Sequence, residues 1–308
     1  MCIRDSSKSN LHSVDASVPL VKLDRPMIHG WDDSAVKRWQ QQVADVLSLP
    51  IRRQLKLMGE RNDPEMVLIP PGRFLMGSPS DEHGRNDNER QHEVAIDGPF
   101  YMGIYPITFD EYDLFCDNTH RLRPDDEEWG RGKRPVINVE YEAVLAYCEW
   151  ASDFTGCNIR PASETEWEYA CRAGSATPYH FGSSIDDQLA NYDARYTQFP
   201  STKGRFRKET CEVGSYPPNA WGLFDMHGNV CEWTRSRYSI DHSIKSDQSS
   251  ESDVTALRGA SLVLRGGGWN SLSGKCRSSS RQQNYTGVSS RSWGFRVCCD
   301  LPVNFAQR

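Results

Sequence analysis

The run from Leu264 to Arg296 constrains this chain more than any other part of it. It opens on Leu-Arg-Gly-Gly-Gly-Trp-Asn, closes on Trp293-Gly294-Phe295-Arg296, and holds small and polar residues around Cys276 in between. Gly266, Gly267 and Gly268 imply a turn that needs positive φ or close backbone approach. Trp269 and Phe295 are expected to point inward and hold the two ends. Rigid apolar ends around an undemanding middle suit either the rim of an active site or a surface built for binding.

A core large enough to seat such ends is available. The 308 residues include nine Trp, twelve Tyr and eleven Phe, which suits a loop-rich fold held by large anchors. The net charge of -6 carries no nucleic-acid footprint, and no apolar run is long enough to span a membrane. The first residues, Met1 to Ser6, lack the apolar core of a signal peptide. The ten cysteines include no CxxC with metal-site spacing. Reduced structural thiols and a cytoplasmic location are therefore expected.

Residues 1 to about 27 are polar and aperiodic. From Ser34 to Leu49, Val36, Trp39, Val43 and Leu47 recur at helical spacing up to Pro50. This helix either packs on the main domain or serves a partner or a lost upstream module. Residues 1–64 are thus read as a leader with one amphipathic helix, and 65–308 as the main domain. Met66 to Ile69 reads as a strand entering a Pro-Gly turn, with Phe74 to Met76 as its hairpin partner. His92–Ile96 and Phe100–Tyr105 read as further strands. Thr108 with Glu111, and Ser163 with Glu166, have capping-box spacing at helix starts. Val139 to Phe154 has helical spacing ended by Gly156. Beyond Gly174 helix signals stop, and loops with short strands remain.

Five segments together resemble the formylglycine-generating enzyme (sulfatase-modifying factor) family. They are Pro70–Ser78, Arg134–Val139, Glu164–Ala170, Asn219–Trp233, and Arg265–Trp269 through Gly294–Arg296, in order and at family spacing. The resemblance implies an α+β, C-type-lectin-like fold: a small mixed sheet, flanking helices and much loop held by buried aromatics and ions. It covers about residues 65–301.

The family holds enzymes and non-enzymes, so function must be argued from the site. Its oxygen-using members hold copper between two cysteine thiolates, soft ligands that suit Cu(I). The matching positions here are Ser271 and Cys276. A serine hydroxyl is a hard, protonated and poor ligand, so copper and formylglycine synthesis are not expected. A branch that uses histidines of an N-terminal four-helix domain to hold iron is excluded, because the first 64 residues hold only His12 and His29. An alternative keeps Cys276 as the reactive group of a divergent, metal-dependent oxidoreductase acting on a protein or small thiol. A buried structural thiol fits the same residue.

A third branch of the resemblance displays a C-terminal segment diversified by a retroelement, in which adenines of asparagine codons are copied with errors. Ser271, Leu272, Ser280, Tyr285, Val288, Ser290, Arg291 and Ser292 are residue types reachable from an asparagine codon in this way, and Asn270 and Asn284 remain asparagine. Lys275, Gln282, Gln283 and Trp293 are not reachable, and drift on an exposed loop yields the same kind of variation. The expected ligand-binding residues are these positions without Gln282, within a variable region of about 264–296. Their partner is an unidentified protein or surface ligand. Tyr, Ser, Asn and Arg supply contact area with adaptable hydrogen bonds, and Tyr285, Arg291 and Trp293 would be the energetic anchors.

The resemblance also implies structural calcium. Asp225, Gly228, Val230 and Glu232 match positions that ligate it through side-chain and backbone oxygens, and Asn191 matches a ligand of a second site. The competing reading is loop hydrogen bonding without metal. His227 reads as a satisfied loop histidine.

Overall fold

A computed structural model describes residues 23–57, 63–196, 203–240 and 259–301. Most of the aperiodic leader lies outside the described residues. Four α-helices and eleven strands are described: α1 Asp33–Leu47, β1 Arg52–Gln54, β2 Glu65–Ile69, β3 Gly72–Met76, β4 His92–Ile96, β5 Phe100–Gly103, α2 Phe109–Thr119, α3 Tyr141–Thr155, β6 Ile159–Pro161, α4 Glu164–Arg172, β7 Cys231–Arg237, β8 Ser261–Arg265, β9 Arg281–Tyr285, β10 Trp293–Gly294 and β11 Val297–Asp300. A five-stranded antiparallel sheet runs β1-β2-β5-β11-β6, a four-stranded sheet runs β10-β7-β8-β9, and β3 pairs with β4. The α+β class is as the sequence implies.

The predicted capping boxes form. Thr108 and Glu111 exchange bonds at the start of α2, as do Ser163 and Glu166 at α4, each satisfying two otherwise orphaned N–H groups. Gly156 ends α3 at φ 65°. The first strands depart from expectation. β2 and β3 do not form a hairpin with each other: β2 pairs with β1 and β5, and β3 with β4. Pro70 and Pro71 between them offer no N–H to a ladder, and the chain changes sheet there. Phe154, the last apolar residue of the α3 spacing, is 47% exposed.

The N-terminal helix belongs to the domain. Asp32 caps it, Ser48 ends it in the left-handed region, and its inner face buries Val36, Val43 and Ala44. Gln40 donates to Leu68 O and the Trp39 indole to Pro71 O, both at 2.8 Å. β1 then pairs directly with β2. The expected boundary near Glu65 is therefore no boundary in the packing. One core lies between α1–α3 and the two larger sheets, around Tyr112, Tyr147, Trp233 and Phe295. A second lies against α4, around Phe74, Trp167, Tyr169 and Trp221.

Candidate functional site

The C-terminal segment is built outward from its glycine turn. Gly266 and Gly267 have φ of 90° and 68°. A Cβ on Gly267 would lie 2.8 Å from Cys276 Sγ, and one on Gly268 would lie 2.8 Å from Ser292 O, so both close approaches require glycine. Trp269 N donates to Asn229 O at 2.9 Å, and its indole donates to Arg291 O at 3.0 Å. Trp269 and Phe295 are buried, as expected of residues that hold the ends.

The middle is far more demanding than its composition suggests. Cys276 through Arg281 are all buried. Arg277 forks onto Glu89 at 2.8 Å on both oxygens and reaches Glu82 at 2.5 Å. Burial pushes the Glu89 carboxyl up, but the Arg277 guanidinium outweighs it and holds that group below the ordinary carboxylate range. Arg281 grips Glu164, and Arg265 pairs with Glu168, which also binds Arg172 at 2.9 Å. A ladder of buried ion pairs thus ties β8 and β9 to α4. Such pairs are satisfied only while every partner is present. Ser280 and Ser292 are 1% and 5% exposed, so these two expected contact residues are withdrawn. Small polar side chains look permissive in a sequence, yet here their size lets the arginines through.

The remaining expected contacts do lie outward. Asn270, Lys275, Gln283, Tyr285, Val288 and Arg291 are exposed, and Ser271, Leu272, Asn284, Ser290 and Trp293 are half-buried. They fall into two groups. Gln283 and Tyr285 share one face of β9, at one edge of the four-stranded sheet, whereas Trp293 sits in β10 at the opposite edge. Residues 286–292 run between these edges. Arg291 instead lies over Trp269, and Asn270 follows that residue directly in the chain.

Around Trp269 the structure adds residues that no sequence signal marked. Trp129 packs edge-on against it at 5.2 Å, and Phe206 stacks at 5.8 Å. The Arg291 guanidinium lies 5.5 Å from the Trp269 ring, and that of Arg195 lies 4.1 Å from Phe206. Asp193 N donates to Ser271 O at 2.9 Å, and Asp193 also pairs with Arg195. Aromatic faces flanked by guanidinium groups are adaptable contact surfaces. Trp129, Phe206 and Arg195 come from distant loops without periodicity, so only the fold brings them together.

Cys276 is fully buried, and burial pushes its thiol well above the usual range. Its Sγ donates to Leu272 O at 3.7 Å. Ser271 Oγ accepts from Gly268 N at 3.0 Å. One protonated thiol and one engaged hydroxyl do not fit a Cu(I) site. His227 donates from Nδ1 to Cys276 O at 2.7 Å and accepts at Nε2 from His180 N at 3.1 Å. Burial and the neighbouring His180 lower its pKa well below the ordinary value. It is the satisfied histidine expected, and its Nε2 also lies 3.7 Å from the Cys171 thiol.

The calcium residues fit poorly as a set. Both Glu232 oxygens are taken by Arg296 at 2.7 Å, and the Trp167 indole adds a third bond at 2.7 Å. The same guanidinium donates to Gly103 O and Phe224 O, so Arg296 is itself the cation at this carboxylate. Glu232 is therefore withdrawn as a metal ligand. Val230 is packed in the core, and Gly228 approaches so closely that a Cβ would lie 2.4 Å from Asn191 O. Asp225 accepts from Gly214 N at 2.8 Å, and burial pushes its carboxyl up to about 6. Asn191 Oδ1 is buried without a partner. With Glu232 taken, Asp225, Asn191 and the backbone oxygens of Gly228 and Val230 are fewer than the six to eight oxygens calcium takes. Among the described residues, no group of three or more His, Cys, Asp or Glu is placed to hold a metal ion, and no helix could cross a membrane.

Residues 54–301 match the sulfatase-modifying factor enzyme 1-like domain. Among curated relatives, serine/threonine-protein kinase pkn1 of Chlamydia pneumoniae is 32% identical over 258 residues, which is 77% of this chain but only 38% of that protein. Inactive C-alpha-formylglycine-generating enzyme 2 of Bos taurus is 29% identical over 300 residues, covering 82% of this chain and 93% of that one. Among solved structures, PvdO from Pseudomonas aeruginosa superposes with a TM-score of 0.67 at 30% identity, over 79% of this chain and 96% of its own. Treponema denticola variable protein 1 superposes with a TM-score of 0.62 at 20% identity, over 82% and 100%, a likeness of fold alone.

Proposed function

The chain belongs to the sulfatase-modifying-factor enzyme family, and within it we propose a non-catalytic scaffold that binds a protein or surface ligand through its C-terminal segment. One observation carries this reading. Between Asn270 and Trp293, exposed side chains are interspersed with buried ones, and the buried ones are held by ion pairs to α4 and to the 78–90 loop. The outward positions can change without disturbing what holds them. The name of the Treponema variable protein, whose fold this chain shares, agrees with a diversified surface. The contact set is Asn270, Ser271, Leu272 and Lys275 after the glycine turn, Gln283, Asn284 and Tyr285 on β9, Val288, Ser290 and Arg291 in the segment that follows, and Trp293 at the β10 edge.

The absence of formylglycine synthesis rests on Ser271 and on the inaccessible thiol of Cys276, and the inactive Bos taurus relative agrees with it. The oxidoreductase alternative would need Cys276 to meet a substrate. Incubating the purified, copper-supplemented protein with a cysteine-containing sulfatase peptide is expected to leave the peptide mass unchanged. Conversion of that cysteine to formylglycine overturns the non-catalytic reading.

Diversification has its own test in the genome. A near-identical template repeat and a reverse transcriptase are expected near the gene, with repeat and gene differing at adenines of the exposed codons. A locus without either leaves the binding scaffold standing and removes the retroelement.

A further inference from the structure

A cavity of about 430 Å³ lies between the 273–277 turn, the 79–84 loop and residues 176–183. Its walls combine Pro79, Ala176, Pro178 and the buried Tyr179 with Glu82 and Ser273. Arg277 also lines it, but that guanidinium is fully engaged. Its Nε donates to Gly274 O at 3.1 Å, and Nη2 donates to Gly84 O at 2.7 Å and to Glu89 at 2.8 Å. Its Nη1 serves Glu82, Glu89 and Ser279. Two buried carboxylates thus share one guanidinium, and the cluster keeps a negative charge. Arg277 and Ser279 both donate to Oε1 of Glu82, at 2.5 and 3.2 Å, which leaves Oε2 for another donor. Ser273 is 1% exposed, and its hydroxyl has no hydrogen-bond partner among the described residues. A buried hydroxyl is costly to leave unpaired unless a ligand completes it. Asp81 adds a further carboxylate at the exposed rim.

We propose that this cavity binds an alkylammonium group, a primary ammonium on a short carbon chain, as carried by a lysine side chain or a free amine. The ammonium donates to Oε2 of Glu82 and to the Ser273 hydroxyl, and the carbon chain lies along Pro79, Pro178 and Tyr179. An anion is disfavoured, because Arg277 has no donor left for it while Asp81 and Glu82 repel it. A guanidinium is matched less well, since its planar fork wants both carboxylate oxygens and Oε1 of Glu82 is already taken. A neutral alcohol of the same length forgoes the charge-assisted bond. The ion pairs of Arg277 fix Glu82 before any ligand arrives, so binding has little to order. None of the exposed contact residues lines the cavity, so the site does not depend on the display reading.

The test is to titrate the full-length chain at neutral pH with n-butylamine, Nα-acetyl-lysine methylamide and n-butanol, by isothermal calorimetry. Both ammonium probes are expected to saturate a single site with Kd of about a millimolar, and n-butanol to show no saturation. Equal affinity for the two ammonium probes assigns the site to free amines, and a clear preference for the lysine derivative assigns it to a protein side chain. Either result supports alkylammonium recognition. Glu82→Gln is expected to weaken binding about tenfold or more, and Ser273→Ala about threefold. Because Glu82→Gln also disturbs the Arg277 pair, Ala176→Trp supplies a second variant at an exposed wall of the cavity. It is expected to abolish binding while keeping the wild-type Tm. No saturable binding of either ammonium probe, equal binding of n-butanol, or undiminished affinity in Glu82→Gln or Ala176→Trp overturns the proposal.

Discussion

Arg281 of β9 grips both carboxylate oxygens of Glu164, the first residue of α4, at 2.5 and 2.8 Å. Both side chains are almost fully buried. Removing one partner strands a charge in a low-dielectric interior. Arg281→Ala is therefore expected to cost about 3–5 kcal/mol in urea unfolding. Tyr285→Ala, on the outward face of the same strand, is expected to change stability by no more than about 0.5 kcal/mol. Equal costs for the two would remove the distinction between framework and surface.

Glu232 and Arg296 set a second expectation. Since the guanidinium already occupies the carboxylate, calcium or a chelator is expected to leave Tm within about 1 °C, whereas one-site binding at a hundred times Kd would add about 2.7 kcal/mol. Thermal melts with and without millimolar calcium check this. A large calcium-dependent rise would restore a metal to Asp225 and Asn191.

The pH dependence has two opposed parts. Burial pushes the Glu166 carboxyl up, but Arg160 outweighs it and brings that group down to about 2. A depressed folded-state pKa gives stability that is present above the unfolded value and lost as pH falls toward 2. Glu111 runs the other way, since burial pushes it up to about 7. Its folded state holds a proton that the unfolded chain releases, so its contribution declines as pH rises from about 4.5 to 7. Glu111→Gln, which can keep the capping box, is expected to flatten that decline. Urea midpoints at pH 5 and pH 8 measure it, and an unchanged slope in the variant would contradict the assignment.

Cys276 is the expected straggler in alkylation. In reductant, iodoacetamide is expected to modify half-exposed Cys157 well before Cys276, which reacts only as the chain unfolds. Peptide mapping over time reads this directly. Early labelling of Cys276 would reopen the oxidoreductase reading.

Much of the fold was legible because its signals are local. Capping boxes at Thr108 and Ser163 and the glycine stop at Gly156 depend on neighbours a few residues away, and the inward Trp269 and Phe295 are legible from residue type beside the glycine turns. Strand partners were not legible: which sheet β3 joins after Pro71 is decided by β4, which lies well beyond the turn. The site was half-read. Outward positions such as Tyr285 and Arg291 were found by residue type, but Ser280 and Ser292 were misassigned because a buried serine and an exposed one look alike. Glu232 was misread because its partner, Arg296, lies sixty-four residues away. Trp129, Phe206 and Arg195 carried no pattern.

The central claim is that the surface can change while its frame stays fixed. The direct measurement replaces Asn270, Lys275, Gln283, Tyr285, Val288 and Arg291 together, in many random combinations, and compares Tm with that of the parent chain. Most combinations are expected to melt within about 4 °C of the parent, because exposed substitutions are individually small. A library in which most members unfold would show that these side chains hold the structure together, and the display reading would fail.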